Sequence, residues 1–157
     1  MDENEFKNVL LRMCNLCARS EKCEFDIEQK LNKLEIDDES KDEIIEYLKV
    51  NNYINNQRYT DAFVNDKFKF NKWGKQKIRQ YLKFKRIETI FVEKSLNNLN
   101  EDDYVNILTE ILRSKRKQIK DENEYKVMQK LVNHAISKGF EIDLVLKIIS
   151  NNNLSQI

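Results

Sequence analysis

The stretch WGKQKIRQYLKFKRI, residues 73 to 87, reads as one complete helix with its entry and exit marked. Gly74 stands at the N-cap, and Trp73 and Ile78 occupy the two positions of a hydrophobic staple that sets how the chain enters the helix. Lys75, Arg79, Lys83 and Arg86 follow i, i+4, i+8 and i+11 and are expected on one face, with Ile78, Tyr81 and Leu82 on another. The last ten residues of this stretch, IRQYLKFKRI (78–87), align without gaps with IEQKLNKLEI (27–36) and LVNHAISKGF (131–140). Apolar residues fall at the first position (Ile27, Ile78, Leu131), the fifth (Leu31, Leu82, Ala135) and the last (Ile36, Ile87, Phe140). Each copy follows another helical pattern and precedes a short one (Ile44 to Val50, Ile90 to Leu96, Leu144 to Ile149), so the repeating unit is three helices.

Composition supports this reading across the chain. With average usage, 157 residues would carry on the order of nineteen glycines and prolines, whereas this sequence has two glycines and no proline. Tight hairpin turns need residues that tolerate positive φ, so the expected fold class is all-α. Other helix signals agree. Phe6, Val9, Leu10, Met13, Leu16 and Cys17 recur at helical spacing, as do Ile27, Leu31 and Leu34. SKDEII (40–45) has the form of a capping box with Ser40 as the cap, and Ile87 with Val92 and Phe140 with Val145 repeat the staple separation. Three tandem units are expected at 1–52, 53–99 and 100–157, the first carrying the extra residues DDES (37–40). A unit of roughly 50 residues is near the lower limit for an independent core, so neighbours should stack into an elongated array, its curvature left open. The tail SNNNLSQI (150–157) either extends loosely or closes the last unit.

Charge is segregated beneath a net value of only +1. Residues 1–50 sum to −6, 51–66 to −1, 67–86 to +9 with no acidic residue, and 87–157 to −1. Like charges at i, i+4 disfavour an isolated helix, so a helix face built this way suggests an anionic partner. The candidate contacts are Lys67, Lys69, Lys72, Lys75, Arg79, Lys83, Lys85 and Arg86, together with Arg113, Lys115, Arg116 and Lys117 of a second run, RSKRKQIK (113–120). Among the interleaved aromatics, Trp73 and Tyr81 are assigned to core packing, and Phe84 becomes a contact candidate if exposed.

Catalytic patterns are missing. The single histidine, His134, falls mid-helix. Cys14 and Cys17 form a C-x2-C on an amphipathic helix with no further ligand pair at zinc spacing, so these two and Cys23 read as buried thiols. Gly74 and Gly139 alone cannot build a glycine-rich phosphate loop. No enzyme, cofactor or metal site is expected. No apolar run approaches the roughly 18 residues of a membrane span, and Asp2, Glu3 and Glu5 argue against a secretory signal. A cytoplasmic protein is expected.

YINNQRYTDAFV (53–64), a lysine at 67 and WGKQKIRQYLKFKRI (73–87) together resemble the signature of the RecX family, bacterial regulators of the RecA recombinase. LCARSEKCEFDIEQKL (16–31) resembles that family's first repeat and KLVNHAISKGFEIDLVLKII (130–149) its last. Three departures stand out: Arg86 where glycine is usual, Cys23 where a capping Ser or Thr is common, and Asn55–Asn56 in place of an acidic pair. The resemblance implies a non-enzymatic inhibitor that binds the RecA filament groove and modulates DNA repair, recombination and the SOS response; a monomer with weak or filament-associated DNA contact is expected. Lys72, Lys75, Arg79, Lys83 and Arg86 would be the principal contacts. The alternative from the residues alone is a helical-repeat DNA- or RNA-binding module acting without a recombinase.

Overall fold

The computed structural model describes residues 1–152 and 157; the segment 153–156 of the asparagine-rich tail lies outside the described residues. All elements among the described residues are helices. The first unit comprises α1 (Glu3–Arg19), α2 (Glu24–Leu31) and α3 (Asp38–Val50). The second comprises α4 (Asn56–Lys69), α5 (Lys75–Phe84) and α6 (Thr89–Asn97), and the third α7 (Glu101–Gln118), α8 (Glu124–Ser137) and α9 (Ile142–Asn151).

Helix ends follow local chemistry. Asp2, Asp37, Asn55, Asn100 and Asn123 each cap a helix by accepting from the backbone N–H three residues on. The expected capping box at Ser40 is corrected here. Asp37 is the cap of α3, and Ser40 donates its backbone N–H to the Asp37 carboxylate at 2.8 Å. Acidic side chains favour the positive end of a helix, so the run Asp37–Asp38–Glu39 starts the helix three residues early. The extra DDES residues therefore extend α3. At Cys23, ahead of α2, the Asp26 carboxylate accepts the backbone N–H at 3.4 Å. α2 itself stops at Leu31, so Leu34, expected on the same helix face, lies beyond its end.

Helix exits reveal the repeat most clearly. α5 closes with Arg86 N–H donating to Lys83 O and Ile87 N–H to Leu82 O, both at 3.0 Å, the paired bonds of a Schellman motif. The same pair ends α8 (Gly139 to Ile136, Phe140 to Ala135) and α3 (Asn52 to Lys49, Tyr53 to Leu48). The C′ residue has φ of +59° at Arg86, +95° at Gly139 and +60° at Asn52. Arg86 thus adopts the left-handed conformation that its position demands of a residue with a Cβ.

Among the described residues two hydrophobic cores result. The smaller belongs to the first unit and includes Met13, Ile27, Leu31, Ile44 and Leu48. The larger is shared by the second and third units and includes Phe68, Ile78, Leu82, Tyr104, Leu108, Leu131 and Phe140. From the first unit Cys23 is buried in this larger core, and Phe25 packs against it.

Candidate polyanion-binding face

The basic stretch 67–86 occupies the end of α4, the α4–α5 turn and all of α5. α5 is fixed at its start by backbone. Gly74 N–H donates to Lys138 O at 2.7 Å and Gln76 N–H to Gly139 O at 2.9 Å. A Cβ on Gly74 would lie 2.3 Å from the Gly139 carbonyl carbon, and one on Gly139 would lie 2.3 Å from Lys77 Cβ. The two glycines of the chain thus face each other across the contact between the second and third units. Tyr104 seals the same contact: its hydroxyl accepts from Lys75 N–H at 2.9 Å and donates to Glu141 at 2.6 Å. Burial, reinforced by that bond to Glu141, keeps the phenol protonated by raising its pKa.

On this rigid base the cations separate into two classes. Four are neutralised by carboxylates from other elements. Arg79 makes two bonds to Glu93 of α6, at 2.7 and 3.1 Å. Hydrogen bonding from Arg79 holds the Glu93 carboxyl below its ordinary range. Lys85 pairs with Asp26 and Arg86 with Glu28, the latter at 2.9 Å, and Lys72 lies 3.6 Å from Glu110. Lys67, Lys69, Lys75, Lys77 and Lys83 have no carboxylate partner among the described residues. Arg86 also sits past the helix end, so the single face expected for Lys75, Arg79, Lys83 and Arg86 is interrupted. A charge pattern along one helix cannot register carboxylates brought in from other elements.

Three of these five lysines lie over aromatic rings. Lys67 and Lys77 Nζ lie 5.0 and 4.6 Å from the Trp73 ring centroid, and Lys75 lies 5.0 Å from that of Tyr104. Tyr81 packs on Trp73 with 4.6 Å between centroids yet is 46% exposed, so the core assignment is corrected: its spacing turns it toward the rim. Phe70 is 81% and Phe84 67% exposed. The site thus gains Lys77, absent from the candidates above because its value comes from Trp73, a neighbour across a turn. The second run lies at the end of α7, one turn beyond Glu110, the partner of Lys72. Arg113 and Lys117 at the end of α7 are exposed, Lys115 is half-buried, and Arg116 turns back to donate to Ile119 O.

The other candidates for chemistry lie elsewhere. Burial pushes the Cys17 thiol up to about 11, with further upward influence from Cys14, and burial also raises Cys14 and Cys23. Desolvation lowers His134, with Lys115 and Lys138 adding to the effect. Among the described residues no cluster of His, Cys, Asp and Glu could hold a metal ion, and no helix is long and apolar enough to cross a membrane.

Comparison with known proteins places this geometry in context. The family model of the second three-helix domain of RecX matches residues 55–96, and that of the third matches residues 101–149. The regulatory protein RecX of Clostridium beijerinckii is 32% identical over 145 residues, covering 91% of this chain and 66% of that relative. Its counterpart in Clostridioides difficile is 23% identical over 150 residues, 96% of this chain and 70% of the relative. The chain therefore spans about two thirds of the length of these curated relatives. The crystal structure of RecX from Lactobacillus salivarius matches with a TM-score of 0.83 at 20% identity, covering 98% of this chain and 99% of that one, which speaks for the fold.

Proposed function

This chain belongs to the RecX family, and we propose that it acts in the cytoplasm as an inhibitor of the RecA recombinase, seated along the groove of the RecA–DNA filament. In this reading it restrains filament growth, ATP hydrolysis, strand exchange and coprotease function, and so modulates DNA repair, recombination and the SOS response. Three linked units can touch neighbouring recombinase protomers together, so modest contacts add and geometry selects the filament over the free monomer. The single observation that supports the reading best is that Lys67, Lys69, Lys75, Lys77 and Lys83 of the middle unit carry no carboxylate partner among the described residues, with Lys67 and Lys77 flanking Trp73. The four paired cations serve structure first, which moves the proposed contact surface from the Arg79–Arg86 line toward Lys67, Lys77 and Trp73.

The test is RecA-driven strand exchange and single-stranded-DNA-dependent ATPase activity, titrated with wild type and with Lys67→Glu/Lys77→Glu/Lys83→Glu. Wild type should inhibit both activities and the triple variant, checked as folded by circular dichroism, should have lost most of that inhibition. Equal inhibition by the two would reject this face as the working surface. Tight duplex binding with a log K against log salt slope of about −4.5, the value for five phosphate contacts, and no effect on the recombinase would favour a free-standing nucleic-acid module.

A further inference from the structure

The contact between the first and second units is rich in charge. Asp26 and Glu28 of α2 hold Lys85 and Arg86 at the end of α5, and Glu21 accepts from Arg58 Nε of α4 at 2.6 Å. The Phe25 ring lies within 5.3 Å of Lys85 Nζ, 5.2 Å of the Arg86 guanidinium and 5.3 Å of the Phe84 ring. Around these pairs the units leave space. A crevice of about 510 Å³ lined by Phe25, Asp26, Tyr59, Phe63, Lys67 and Lys85 lies on one side, and another of about 160 Å³ beside Glu28 and Arg86 on the other. Among the described residues, Cys23 and Phe25 carry apolar contact from the first unit to the larger core, and Tyr53 and Ile54 pack into the smaller one. Partly exposed ion pairs are weakened by salt, so part of what holds this seam can be replaced by ions in solution.

We propose that this seam is an electrostatic latch, in which Asp26 and Glu28 keep Lys85 and Arg86 out of the basic face until the phosphates of a nucleic acid on that face displace them. The first unit then swings about Cys23, and Lys85 and Arg86 join Lys67, Lys77 and Lys83. Opening also parts Phe84, whose chain neighbours are Lys83 and Lys85, from Phe25, and an aromatic ring flanked by cations in the sequence suits unstacked bases. That combination favours single-stranded nucleic acid over an acidic protein surface. The inference rests on the basic face being a polyanion site, and its test separates the two ideas.

The full chain is compared with Asp26→Asn/Glu28→Gln, with the swap Asp26→Lys/Lys85→Asp, and with Glu43→Gln/Glu46→Gln. The last makes the same charge change at exposed positions on α3. Small-angle scattering reports opening, and fluorescence anisotropy with a labelled oligodeoxythymidylate reports binding. The expected result is a larger radius of gyration for Asp26→Asn/Glu28→Gln at low salt, reached by wild type only as salt rises. Its affinity for the oligonucleotide should rise by roughly two- to thirtyfold, the range set by two partly exposed pairs. The swap should return both readouts toward wild type, and the α3 control should change little. Identical scattering of wild type and Asp26→Asn/Glu28→Gln at every salt concentration, or an equal affinity gain in the α3 control, overturns the latch. Expansion of the variant without oligonucleotide binding by any form would instead reject the nucleic-acid reading of the basic face and leave a hinge with a different opener.

Discussion

The seam between the second and third units and the seam between the first and second are made of different materials. At the former, backbone meets backbone through Gly74 and Gly139, Tyr104 is buried between Lys75 and Glu141, and one hydrophobic core runs through both units. At the latter, side-chain charges meet across crevices and the first unit keeps a separate core around Met13, Ile27 and Leu48. Burial of apolar surface and close backbone contact resist salt, whereas exposed ion pairs are screened within roughly 10 Å at ordinary ionic strength. Similar three-helix units can therefore form one rigid joint and one yielding joint in the same chain.

The sharpest way to break this contrast is Gly139→Ala. The new methyl would press on Lys77 at 2.3 Å, at a φ of +95° that side chains rarely adopt. Unfolding in urea should show a loss of about 3 kcal/mol, and a loss below about 1 kcal/mol would mean the joint is softer than drawn. Tyr104→Phe comes next, because it leaves the Lys75 N–H and the Glu141 carboxylate without the hydroxyl they share. A loss of about 2 kcal/mol is expected in the same measurement. Smallest is Glu28→Gln at the other seam, where Arg86 is mostly exposed. It should cost no more than about 0.5 kcal/mol, and raising salt should erase the difference. A larger, salt-independent cost would show that the first joint is as firm as the second.

Particular residues show how far the sequence could be read. Gly74 at an N-cap, Arg86 at a C′ position and the final apolar residue of each ten-residue pattern are local features, governed by φ, ψ and the three-and-four spacing, and so were legible without a structure. The cap of α3 falls at Asp37 where the capping-box pattern points to Ser40, because both are competent caps and the acidic run decides between them. Lys77 stands off the Lys75, Arg79 and Lys83 spacing, and its place in the site rests on Trp73, a residue ahead of the helix cap whose ring the fold holds over it. The pairing of Arg79, Lys85 and Arg86 with Glu93, Asp26 and Glu28 depends on which helices become neighbours, and no spacing rule reports that.

By itself the sequence determined a chain of helices repeated in threes with positive charge concentrated in the middle unit, because helix propensity, capping and periodicity act over a few residues. Tertiary structure alone decided that two distant glycines would touch, which cations would stay free and which seam would be held by charge. Those outcomes follow from close packing and electrostatics between residues far apart along the chain, where contact depends on the completed fold.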